Sequence, residues 1–151
     1  MNIPTDRSAC PAALPASGDA YFEHDADVGI VGRGATLEEA FEAAARATFA
    51  IMTDIKAVRD ESSVSLEFEE ADAELALVRW LNLLLAMSHE EGLVFGRFWI
   101  ERDGVRWRGG ASGEAWRREL ERGVEVKGAT LTMLKVRQTD EGWEARCVVD
   151  V

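Results

Sequence analysis

Hydrophobic positions along this chain change their spacing several times, and each change marks an element. From Tyr21 an apolar-rich run extends to Val31 and stops at Gly32-Arg33-Gly34, which reads as one strand and a turn. A helix follows from Thr36, where Thr36 and Glu39 match a capping box. Leu37, Phe41, Ala44, Ala45, Thr48, Phe49 and Met52 then recur at helical spacing and form one buried stripe. Ser63 to Glu69 alternates strictly, with Val64, Leu66 and Phe68 inward, as a half-buried strand does. A second helix spans about residues 73 to 90, with Leu75, Val78, Leu81, Leu84 and Leu85 as core candidates. Arg79 and Asn82 interrupt its apolar run, which makes it a core helix and not a membrane span.

The second half reads as sheet. Leu93–Glu101 and Val105–Ala111 flank Asp103-Gly104, a hairpin signal because both turn residues tolerate positive φ. Gly113-Glu114 beyond the hairpin reads as a turn, with Glu114 a further carboxylate candidate. Val124 to Val136 alternates as another strand, and Gly128 within it predicts a bulge or a close backbone approach. The last strand places Trp143, Ala145, Cys147 and Val149 inward, and Glu144, Arg146, Val148 and Asp150 outward. The order β-α-β-α-β-β-β-β predicts an α+β domain over residues 21 to 151, two helices packed on a mostly antiparallel sheet. Residues 1 to 20 hold all three prolines and read as a flexible N-terminal tail.

Composition narrows the function. Apolar residues make up 47% and charged residues 30%, an ordinary globular balance. Acids outnumber bases 28 to 17, for a formal charge of −11. That field repels phosphate backbones, which argues against strong direct nucleic-acid binding and suits a divalent cation or a basic partner. Cys10 and Cys147 are too sparse for a disulfide framework, no Cys/His spacing suggests zinc, and no apolar run suggests a signal peptide or membrane span. A reducing cytoplasm is the expected compartment.

Candidate chemistry lies at the two ends of the folded segment. Phe22-Glu23-His24-Asp25-Ala26-Asp27 packs a histidine and two aspartates together, and Asp150 follows a Val-Val strand. If Tyr21 to Gly29 is one strand, Asp25 and Asp27 share a face with Glu23, while His24 faces the core as a hydrogen-bonded structural residue. Should the first and last strands lie side by side, Asp27 and Asp150 meet, with the main-chain oxygens of Val151 in reach. Hard oxygen donors of this kind suit calcium or magnesium. Lys127 reads either as an ordinary outward lysine or as a contact to a phosphate or acidic group. His89, beside Glu90 and Glu91, reads as chemistry of a helix C-terminus.

These residues resemble the archease family. That family opens on a Phe-x-His-Thr-Ala-Asp-Val-Gly-like run, matched by Phe22 to Gly29, and continues with a Gly-x-Thr-Leu-Glu-Glu-x-Phe helix start, matched by Gly34 to Phe41. Trp80-Leu81, Gly113-Glu114, Val126-Lys127-Gly128-Ala129-Thr130 and Asp150-Val151 follow in the family's order. The resemblance implies a small acidic protein cofactor, not itself an enzyme, that activates the GTP-dependent RNA-splicing ligase in tRNA splicing and RNA repair. It would promote ligase guanylylation and multiple turnover. It further implies that Asp27, Asp150 and the main chain of Val151 bind a divalent ion, calcium in crystals, with magnesium or manganese as alternatives. Lys127 would engage the ligase or its nucleotide site. Two departures stand out: Asp25 replaces a Thr and adds charge beside the ion, and Leu131-Thr132 replaces Tyr-His. The rival readings are a metal-dependent phosphoryl-transfer or hydrolytic enzyme using Asp27 and Asp150, and an acidic interaction or chaperone-like module. Neither a nucleophile nor a phosphate-cradling glycine loop supports the first rival.

Overall fold

The computed structural model describes residues 21–24 and 27–151; Asp25, Ala26 and residues 1–20 lie outside the described residues. In chain order the elements are β1 (Tyr21–His24), β2 (Asp27–Gly34), α1 (Leu37–Met52), a 3-10 turn (Ile55–Ala57), β3 (Ser62–Glu69), α2 (Ala73–Glu91), β4 (Leu93–Asp103), β5 (Arg106–Ala115), β6 (Gly128–Ala129), β7 (Lys135–Thr139) and β8 (Gly142–Asp150). All described strand pairs are antiparallel. The α+β class holds, with the strands divided between two sheets. One runs β1-β2-β8-β6, with β7 also on β8, and the other runs β3-β5-β4.

The helices lie between and across these sheets. In α1 the Thr36 hydroxyl accepts from the Glu39 N–H at 3.1 Å, while the Glu39 carboxylate accepts from the Ala35 N–H at 2.9 Å. This is the expected capping box, reaching back one residue further than usual. Its apolar stripe buries Leu37, Phe41, Ala44, Ala45, Phe49 and Met52, together with Ala40, Ala47 and Ile51. Trp107 of β5 stacks with both Phe41 of α1 and Phe68 of β3, at ring distances of 5.1 and 5.9 Å with near-parallel planes. Such stacks add to area burial and fix how helix and sheet meet.

Gly32 and Gly34 prove to lie inside β2, not in a turn after it. A Cβ on Gly32 would stand 2.2 Å from the Ala40 carbonyl oxygen and 2.3 Å from the Ala44 nitrogen. The helix backbone rests directly on the strand, and only glycine leaves room for that.

Four further expectations change. The run from Tyr21 to Val31 is two strands that pair with each other, His24 opposite Asp27, so the parity assigned across it does not carry from Glu23 to Asp27. The side chain of His24 and the whole of Asp25 lie outside the described residues. In α2 the buried positions are Leu77, Trp80, Leu81, Leu84 and Leu85, whereas Leu75 is 41% exposed, because the helix turns its Trp80 face inward. The hairpin turn is Gly104-Val105, one residue later than expected, with Gly104 at φ +66°. Finally, Val124–Val136 is not a strand: only Gly128–Ala129 and Lys135–Thr139 pair with β8, and a tight loop joins them. Gly128 is approached by the Asn82 side chain, and a register slip between Phe95 and Arg97 lies in the other sheet, at Gly96 of β4.

Candidate functional site

Strand β8 is the spine of the candidate site. Ala145, Cys147 and Val149 are fully buried in the core as expected, but Val148 and Glu144, expected outward, are buried as well, Glu144 lying 3.7 Å from Arg33 and 3.4 Å from Arg137. On one side it pairs with β2, Val28 opposite Val149, and that register carried one residue further sets Asp27 opposite Asp150. Directly opposed residues of an antiparallel pair present their side chains on the same face. On the other side Gly128 pairs with Asp150, and the Lys127 N–H donates to the Asp150 carbonyl at 2.8 Å. Asp27, Asp150, Val151 and Lys127 are therefore gathered at one end of the sheet by three adjacent backbone segments. Asp150 and Lys127 are exposed, and Asp27 and Val151 half-buried.

The donor set fits a hard divalent ion in type: two carboxylates and main-chain oxygen, all oxygen, with no sulfur or imidazole among them. Among the described residues no group of three or more His, Cys, Asp or Glu side chains converges.

One part of the site escaped sequence reasoning. Asn82 of α2 holds Ala129 with both ends of its amide: Oδ1 accepts from the Ala129 N–H at 2.8 Å and Nδ2 donates to the Ala129 carbonyl at 3.2 Å. A Cβ on Gly128 would lie 3.3 Å from the same Oδ1. The short β6 segment, and Lys127 beside it, are thus pinned between a helix side chain and β8. A polar residue breaking an apolar helix face was the available signal.

Glu114 is not part of this cluster, and it is not in a turn. It lies in β5, 2% exposed, accepting from the Arg117 Nε at 2.8 Å and the Arg59 N–H at 2.7 Å. The Arg117 hydrogen bond holds its carboxyl below the ordinary value. His89, in the last turn of α2, stands 3.7 Å from the Glu125 carboxylate. No helix among the described residues is long and apolar enough to cross a membrane.

Residues 20–151 match the archease protein family. This chain belongs to that family. Among the archeases it resembles, that of Sulfolobus acidocaldarius is 37% identical over 134 residues, spanning 87% of this chain and 96% of the relative. The Thermococcus gammatolerans archease is 39% identical over 137 residues, with the same shares, and the Methanosarcina mazei archease 34% over 148 residues, spanning 91% and 100%. The solution structure of Methanobacterium thermoautotrophicum protein 1598 superposes with a TM-score of 0.75 at 33% identity, over 87% of this chain and 96% of that one. An archease fold across nearly the whole described segment therefore carries Asp27 and Asp150 on two neighbouring strands.

Proposed function

We propose that this chain is a divalent-ion-binding protein cofactor that activates a GTP-dependent RNA-splicing ligase in tRNA splicing and RNA repair, and is not itself an enzyme. The observation that carries this reading is the register that sets Asp27 opposite Asp150, with Lys127 bonded through its main chain to Asp150. Membership of the archease family supports it. Calcium, magnesium or manganese would be held by Asp27, Asp150 and the main chain of Val151, with Asp25 adding charge nearby. The bound ion would supply the positive charge that offsets two facing carboxylates.

In this reading the chain presents a rigid, exposed constellation to the ligase. Asp27 and Asp150 orient the ion, while Lys127, fixed in place by β8 and Asn82, meets an acidic or phosphate group of the partner. Stimulation requires that this surface bind the guanylylation-ready state of the ligase more tightly than its other states. The cytoplasm is the expected site of action.

The test mixes substoichiometric chain with the splicing ligase, GTP and Mn²⁺, and follows joining of RNA ending in a 2′,3′-cyclic phosphate through several turnovers. Wild type should stimulate, and Asp27→Ala and Asp150→Ala should not while remaining folded by circular dichroism. Absence of stimulation by wild type would sink the cofactor reading; full activity in both variants would sink the role of the carboxylates.

A further inference from the structure

The loop that replaces the expected strand between β6 and β7 carries two exposed large apolar side chains beside the candidate site. Leu131 is 62% exposed and Met133 48%. Met133 also has a φ of +53°, and it alone among the described non-glycine residues is positive. An unbranched side chain without a local hydrogen-bonding group gains nothing from that conformation, so the surrounding bonds impose it.

The Thr130 N–H and hydroxyl both donate to the Val148 carbonyl, at 3.0 and 2.8 Å, and the Val148 N–H donates to the Thr132 carbonyl at 3.1 Å. The Thr132 N–H donates to the Thr130 hydroxyl at 3.2 Å, and the Leu134 N–H closes the turn on the Leu131 carbonyl at 3.4 Å. With the Asn82 amide on Ala129, the segment from Lys127 to Leu134 is tied down at nearly every residue. A strained, tightly bonded turn that holds two apolar side chains out in water is pre-organised for contact.

From this we infer that Leu131 and Met133 form an apolar anchor by which this end of the molecule docks on a protein partner, one with a hydrophobic pocket at the rim of a cationic cleft. The inference rests on the cofactor reading and adds the surface that would give it affinity. Charge selects this kind of occupant. The chain carries a formal −11, with Asp150 on the strand the loop lies against and Asp27 on the next, against exposed Lys127, Lys135 and Arg137 flanking the loop, so the net field disfavours nucleic acid and anionic lipid. A second copy would bring two acidic ends together and is disfavoured for the same reason.

The test is a titration of the ligase with wild type, Leu131→Ser and Met133→Gly, reading the concentration for half-maximal stimulation, the plateau and the thermal midpoint. Glycine accepts a positive φ, so Met133→Gly should keep its midpoint while losing only the side chain. Each variant is expected to need about tenfold more protein, or beyond, to reach an unchanged plateau. Unchanged half-maximal concentrations would overturn the anchor while leaving the cofactor reading in place. A wild-type dimer in sedimentation that Leu131→Ser dissociates would overturn it in favour of self-association. A wild type that never stimulates would overturn the cofactor reading and the anchor with it.

Discussion

Asn82 and Ala129 are joined as two strands would be, N–H to Oδ1 at 2.8 Å and Nδ2 to carbonyl at 3.2 Å, although one partner is a helix side chain. The pairing solves a local problem. A two-residue strand on β8 leaves its far edge with a donor and an acceptor that a partly buried site cannot leave unmatched. A single carboxamide supplies the complement of both, and glycine at position 128 keeps its approach open.

Replacing Asn82 by Ala or Leu should therefore cost about 1–3 kcal/mol, the penalty of leaving both Ala129 groups without partners. Urea unfolding checks the magnitude. Hydrogen exchange checks the place: the Ala129 amide should lose protection before the amides of α1 do.

A methyl group at Gly32 has nowhere to go, since backbone atoms of α1, not flexible side chains, occupy the space. Gly32→Ala should destabilise by about 3 kcal/mol or more. Gly104→Ala, where nothing lies within 4 Å but φ is +66°, isolates the backbone cost alone and should be the milder change. A comparison of their denaturation midpoints decides between crowding and conformational strain.

The Glu114–Arg117 pair makes stability depend on pH in a defined direction. The carboxyl is held below its ordinary value of 4.5 in the folded state, chiefly by the Arg117 hydrogen bond. Its contribution is complete above that ordinary value and is lost as pH falls through the lower folded one. Glu114→Gln should flatten the acid side of the stability profile, measured as urea midpoints between neutral and acid pH. An unchanged profile would remove the pair from the acid transition.

Two facing carboxylates without an ion repel, and the ion reverses their sign of effect. Asp150→Asn should thus leave the ion-free protein as stable as wild type or more so, while abolishing the rise in thermal midpoint on adding calcium. Calorimetric titration of calcium into wild type and variant gives the same contrast directly. Persistence of the midpoint shift in both Asp27→Asn and Asp150→Asn would place the ion elsewhere.

Burial pushes the Cys147 thiol up to about 12, so almost none of it is thiolate at neutral pH. In a Cys10→Ser background, where Cys147 is the remaining cysteine, alkylation at pH 8 should be slow and track global unfolding. Fast modification would mean that β8 opens locally.

Periodicity made the helices, β3, the β4–β5 pair and the inward face of β8 legible, because each has one buried side and a regular repeat. The outward carboxylate at position 150 followed from the same parity. What it could not show was chain reversal within a short apolar run: Tyr21 to Val31 alternates alike whether it is one strand or two. Gly32 and Gly34 looked like punctuation because glycine's role under a helix is set by a partner distant along the chain. Val124 to Val136 kept a strand-like pattern because Val126 and Leu134 are buried or half-buried for reasons unrelated to pairing. Asn82 registered only as an interruption, since its meaning depends on Ala129.

The position of β8 between β2 and β6 has a kinetic corollary. Asp27 and Asp150 come from opposite ends of the described segment, so their meeting demands one of the longest loop closures in the molecule. Contacts of such high sequence separation tend to form late, after local helices and hairpins are in place. An incompletely folded chain would carry every acidic residue yet display no paired carboxylates. Under the cofactor reading, competence to engage a partner would certify finished folding, and defective copies would not compete for the same target.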